Sequence, residues 1–236
     1  MAKTRILFTG DSITDDNRVL MVRAWSDMFK GMPAPAGGGA GGPGRSNAMT
    51  DSILGTGYPM LIASQLYFEH PGEYEVLNRG ISGHRVVDLD ARVKTDCINL
   101  NPDVLSIMIG INDVWHEAAS KNGVSPEKYA RVYDSMLDEI KTALPELKLI
   151  LIEPYVLKGR ATEAAWDHFS KETELNRQTT VKLAEKYKAA LLPAQKLFTD
   201  AAAKTCVTDW TRDGVHPTPA GHWMLAQEWL KLYRSL

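Results

Sequence analysis

A three-layer α/β sandwich around a mostly parallel sheet of five strands is the fold class this sequence predicts. Three observations predict it. Short apolar runs near 5–9, 74–78, 104–109, 147–152 and 189–192 alternate with longer stretches of helical pattern. Val104 to Ile109 runs apolar, as a central parallel strand covered on both faces must. No internal repeat or second composition class interrupts the alternation, so residues 1–236 read as one domain.

Each element has a local justification. Arg5-Ile6-Leu7-Phe8-Thr9 is β-branched and aromatic, and Gly10 ends it as a buried strand. Asp15-Asp16-Asn17-Arg18 reads as a polar loop, followed by a weakly helical stretch from about Val19 to Phe29. From Gly31 to Gly44 glycine, proline and alanine dominate; a flexible surface insertion at about 31–48 is expected, because few side chains there can be buried. Its glycines precede no Gly-Lys-Ser/Thr and follow no strand, so they form no phosphate cradle.

Gly57-Tyr58-Pro59 opens a helix reaching about Tyr67, with proline in the first turn. Val86 to Leu100 reads as one helix stopped by Pro102. Tyr129, Val132, Tyr133, Met136, Leu137, Ile140 and Leu144 recur at three-and-four spacing, the stripe of an amphipathic helix. Thr162 to Tyr187 is helical, and Ala226, Trp229, Leu230 and Tyr233 mark the core face of a final helix. Trp223, Trp229 and Tyr233 on that helix fit either a sticky surface or a buried face.

Composition narrows the function classes. Hydrophobic residues make up 44% and charged residues 24%, the balance of an ordinary globular chain. A net charge of −2 provides no basic footprint for nucleic acid and no polybasic anchor for a membrane. Met-Ala-Lys-Thr-Arg leads straight into the first strand without an apolar h-region, so a cytoplasmic location is expected. Cys97 and Cys206 form no C-x-x-C pair and read as buried or free thiols. The six histidines show no His-x-His or His-Glu-x-x-His spacing, and no cofactor fingerprint is present; neither metal nor cofactor is expected.

Chemistry is suggested at four places, three of them at strand exits. Ser12 follows the first strand, where open α/β sheets keep their ligands and where helix N–H groups can hold developing negative charge. Serine there is equally a good helix N-cap. Gly80, after the second strand, lets the backbone approach a ligand closely, so its N–H could face a substrate oxygen. Asn112, after the third strand, offers a neutral amide donor or a helix cap. His216 has Asp213 three residues earlier, able to hold Nδ1–H and leave Nε2 for the Ser12 proton, while Pro217 and Pro219 stiffen the loop. Together these supply attack, charge stabilisation and proton shuttling, the roles acyl transfer needs. Gly-x-Ser-x-Gly is absent, so the α/β-hydrolase elbow is excluded.

The blocks Gly10-Asp11-Ser12, Gly80, Gly110-x-Asn112-Asp113 and Asp213-x-x-His216 resemble those of the SGNH (GDSL-like) serine hydrolases, in order and across nearly the whole chain. The resemblance implies a flavodoxin-like sheet, Ser12 as nucleophile, His216 as base and Asp213 as its partner. It also implies an oxyanion hole of the Ser12 and Gly80 N–H groups and the Asn112 side chain. Ser106 to Trp115 looks most like intracellular acetylxylan esterases of this family, which implies an acetylated oligosaccharide substrate and a homo-oligomer. Asp11, Trp115 and Trp210 are the candidate substrate-binding residues, the tryptophans as platforms for sugar rings. A lysophospholipase or thioesterase acting on longer acyl chains would use the same machinery. A silent binding protein on this fold would have lost a block, and none is lost.

Overall fold

The computed structural model describes residues 3–28 and 52–236; the glycine-rich insertion expected at 31–48 lies outside them. Five strands form one sheet: β1 Thr4–Gly10, β2 Tyr74–Asn78, β3 Val104–Met108, β4 Lys148–Ile152 and β5 Ala190–Leu192. Their spatial order is β2-β1-β3-β4-β5, and every neighbouring pair is parallel. Among the described residues the helices are, in chain order, α1 Ser12–Asp15, α2 Arg18–Met28, α3 Tyr58–Glu69, α4 Val86–Asp90, α5 Val93–Asp96 and α6 Ile111–Ser120. They continue as α7 Pro126–Ala143, α8 Trp166–Tyr187, α9 Ala194–Lys204, α10 Val207–Trp210 and α11 Pro219–Tyr233.

Strand side chains alternate between two cores. Ile6, Phe8, Val104, Met108, Ile150 and Ile152 pack on one face with Tyr58 and Ile62 of α3, Phe198 of α9 and Trp229 of α11. Leu7, Leu105, Ile107, Leu149 and Leu151 pack on the other with Leu89 of α4, Tyr133 and Leu137 of α7 and Leu183 of α8. Burial on both sides is why these strands read as apolar runs without alternation. The one polar residue of β3 has a reason: Ser106 accepts the indole N–H of fully buried Trp229 at 3.0 Å. Trp229 and Tyr233 stack at 5.1 Å, while Trp223 on the same helix is exposed, so that face is divided between core and solvent.

The order 2-1-3-4-5 reverses between β1 and β3. From that pair the crossovers leave in opposite directions, opening a crevice at the strands' carboxyl ends. Ser12 follows β1 and Asn112 follows β3, so both stand at the crevice because of strand order.

Three sequence expectations change in the structure. Asp15, Asp16 and Arg18 are buried instead of forming a solvated loop, because their charges bond to the neighbouring 54–56 and 80–82 segments. The single helix over 86–100 is divided into α4, α5 and a 3₁₀ turn at Ile98–Leu100. Arg92 leaves helical geometry between them and donates to Arg79 O at 2.9 Å and to Asp96 at 2.7 Å. The helix expected from Thr162 becomes a 3₁₀ turn at Glu163–Ala165 followed by α8, since the Thr162 hydroxyl bonds back to Leu157 O. Both cysteines are free thiols, Cys97 buried and Cys206 exposed.

Candidate active site

Gly10 turns the chain from β1 into α1 where no side chain fits: a Cβ there would lie 2.3 Å from Met108 O and 2.6 Å from Thr14 Oγ1. Asp11 is the N-cap of α1, its Oδ1 accepting the Ile13 N–H at 3.0 Å. Ser12 is therefore the first residue of the helix, and its own N–H has no hydrogen-bond partner among the described residues. An N–H left open at a helix start is a ready donor for an anionic oxygen.

Asp11 was expected to touch substrate, yet it is 1% exposed and works from below as the cap. Its other oxygen, Oδ2, is buried without a partner among the described residues. Burial pushes its pKa up to about 7, against the Ile13 N–H bond and the neighbouring His216.

His216 comes to Ser12 from 204 residues away, its Nε2 standing 2.9 Å from Ser12 Oγ. On the far side of the ring, Nδ1 lies 2.8 Å from Asp213 Oδ2. With Nδ1–H donating to the carboxylate, Nε2 is left as acceptor for the serine hydroxyl. Asp213 Oδ1 also accepts the backbone N–H groups of Val215 at 3.0 Å and His216 at 2.9 Å. Burial acts to raise the Asp213 pKa, but its bonds from His216 and Val215 prevail and bring it down to about 2. The same contact raises the pKa of His216 above the ordinary 6.5, first through the hydrogen bond to Asp213 and then through its charge.

The 211–217 loop is held by the segment after β4, a support that sequence reading missed. Leu157 N–H donates to Gly214 O at 2.8 Å, Ala161 N–H to Asp213 O at 3.1 Å, and the Tyr155 hydroxyl to Val215 O. Gly214 has φ +106°, and a Cβ there would meet Leu157 O at 2.5 Å, so glycine is required twice over. The only signal available was Tyr155 itself, a buried tyrosine whose hydroxyl needed a partner.

Asn112, in the first turn of α6, donates from Nδ2 to His84 O at 3.1 Å, which orients the amide and leaves its second N–H for another acceptor. Asp113 beside it is buried, its carboxylate taking the Val86 N–H at 3.1 Å, and burial pushes its pKa up to about 7. The N–H of Gly80, expected to face a substrate oxygen, donates to Asn78 Oδ1 at 2.8 Å. Trp115 stands beside the histidine, its ring 5.9 Å from that of His216 and edge-on to Phe169 at 5.7 Å. The indole N–H of Trp210 is tied to Thr205 Oγ1 at 2.9 Å, and its ring packs against the core.

Chemically, this is a hydroxyl with a hydrogen-bonded base, an oriented base and open N–H donors at a crevice, the equipment for attack on a carbonyl. A family model for GDSL-like lipases and acylhydrolases matches residues 8–224. An acetylxylan esterase of Geobacillus stearothermophilus is 30% identical over 96% of this chain and 92% of its own length. The crystal structure of an acetylxylan esterase from the same organism superposes with a TM-score of 0.74 at 29% identity, covering 97% of this chain and 93% of that one. A structure from Parabacteroides merdae, described as a GDSL-like lipase, gives 0.79 at 31% identity, with 98% and 95% covered. These likenesses and the fold define the chain as a carboxylic ester hydrolase. It belongs to the GDSL-like lipase/acylhydrolase (SGNH) family. Among the described residues, no helix is long and apolar enough to cross a membrane.

Proposed function

We propose that the chain is a serine esterase that removes acetyl or other short acyl groups from carbohydrate esters. The observation that carries the serine mechanism is the relay from Asp213 Oδ2 through His216 to Ser12 Oγ, with contacts of 2.8 Å and 2.9 Å. In this mechanism His216 Nε2 takes the Ser12 proton as Oγ bonds to the ester carbonyl carbon. The carbonyl oxygen, now negative, accepts from the Ser12 N–H and the free N–H of Asn112. Collapse expels the alcohol, which takes the proton from His216. Water then repeats the sequence on the acyl-enzyme and restores Ser12. Two solved variants of the Geobacillus esterase, described as catalytic mutants, carry a serine-to-alanine and an aspartate-to-alanine change, which supports a serine and an aspartate in these roles.

Acetyl-sugar substrates are supported by the relatives' activity and by Trp115, whose indole beside His216 offers a flat apolar wall for a sugar ring. A series of aryl esters from acetate to octanoate, run beside acetylated xylo-oligosaccharides, is expected to show the highest kcat/KM on acetate and release of acetate from the sugars. A preference for octanoate would assign the chain to longer acyl substrates instead.

The titration of His216 adds a pH signature. An imidazolium cannot accept the serine proton, so kcat/KM should rise with pH as His216 deprotonates. Because Asp213 holds that pKa up, the midpoint is expected above 6.5. A midpoint below 6.5 in the wild-type profile would contradict the pairing.

A further inference from the structure

The Gly80 N–H sits in a network that ties its loop to the helix bearing Ser12. Asn78, the last residue of β2 and 1% exposed, uses its whole carboxamide there. Oδ1 accepts the Gly80 N–H at 2.8 Å, while Nδ2 donates to Thr14 O at 2.7 Å and to Leu54 O at 2.8 Å. One planar group thus joins the Gly80 peptide, α1 and the 54–56 segment.

A second tie lies on the other side of Gly80. Asp15, the last residue of α1, accepts the Ser82 N–H at 3.2 Å and the Ser82 hydroxyl at 2.5 Å through Oδ2. Arg18 closes the set by donating from its guanidinium to Gly80 O at 2.9 Å. The two segments touch so closely that a Cβ on Gly80 would lie 2.4 Å from Asp15 N. Asp15, Arg18 and Asn78, facing this junction from α1, α2 and β2, are buried, and the bonds of Asn78 and the Arg18 bond to Gly80 O are shielded from competition by water.

We propose that Asn78 and the Asp15–Ser82 pair are positioning residues for acyl transfer, clamping the Gly80 peptide in register with Ser12. The proposal rests on the esterase reading above and explains what Gly80 does in it. In the resting enzyme the Gly80 N–H is satisfied by the neutral carboxamide oxygen, so no buried donor is left unpaired. When negative charge develops beside Ser12, a charge-assisted bond is the stronger attraction. The N–H then shares itself with the oxyanion while Asn78 keeps the peptide from swinging away. Asn78 touches neither substrate nor Ser12 Oγ in this scheme and acts through Gly80.

The test compares wild type, Asn78→Ala and Ser82→Ala on 4-nitrophenyl acetate, with rates per active site titrated by a fluorophosphonate. Inhibition by butylboronic acid, which forms a tetrahedral adduct on a serine hydroxyl, is measured alongside. Ser82 is exposed and its hydroxyl is one arm of the clamp, so Ser82→Ala keeps the fold. It is expected to lower kcat about fivefold to tenfold with KM within about twofold, and Asn78→Ala about a hundredfold. The boronic acid inhibition constant should rise by the same factor as kcat/KM falls. A merely structural role would reduce the titrated fraction and leave that constant unchanged. Unchanged kcat and inhibition constant in Ser82→Ala would overturn the proposal, whether or not Asn78→Ala folds. If the wild type neither turns over esters nor labels at Ser12, the esterase reading itself fails, a result distinct from loss of the clamp.

Discussion

Ser12→Ala is expected to remove ester hydrolysis almost completely, lowering kcat by about 10⁶. The hydroxyl's recorded bond is to His216, and the capping of α1 runs through Asp11, so alanine leaves the turn intact. Without Oγ the base has no proton to take and no acyl-enzyme can form. The variant should also lose covalent labelling by an organophosphate while keeping the wild-type melting temperature. Intact-mass spectrometry after exposure to the reagent checks both enzyme forms. A phosphonyl adduct on wild type at any residue but Ser12 would overturn the assignment of the nucleophile.

Asp213→Asn is expected to cost about 10³–10⁴ in kcat with little change in KM. Asp213 uses one oxygen on two backbone N–H groups and the other on His216 Nδ1. An asparagine that keeps its carbonyl oxygen on the backbone pair must turn its NH₂ toward Nδ1. The ring then carries its proton on Nε2 and points a donor at Ser12, the wrong tautomer for a base. The opposite flip sets NH₂ against the Val215 and His216 N–H groups and loosens the loop. Removing the carboxylate also removes the largest influence holding the His216 pKa up, so whatever activity remains should have its pH limb shifted to lower pH. Steady-state kinetics across pH tests both effects, and a loss smaller than about tenfold would sink the role given to Asp213.

Legibility in the sequence differed sharply between parts of the molecule. β3 and β4 could be read because both faces are covered, so nearly every side chain had to be apolar. Gly10 and the stretch after it could be read because the turn leaves no room for a Cβ. The helical breaks at Arg92 and Thr162 could not, because each is set by a bond to a backbone carbonyl and helical propensity does not register such partners. The same holds for Asp15 and Arg18, charged residues that read as solvated until the Gly80 loop is folded onto them.

Taken alone, the amino-acid order determined which chemistry was available: a serine after β1, an amide after β3, and an aspartate three residues before a histidine in a proline-stiffened loop. Those are local matters, decided by residue type and by steric limits at turns. Tertiary structure alone decided which atoms face which. It brought His216 to Ser12, assigned Asp11 to a helix cap and Trp210 to Thr205, and gave the Gly80 N–H to Asn78. Hydrogen bonds extend about 3 Å, so which pairs form depends on how strands and helices pack.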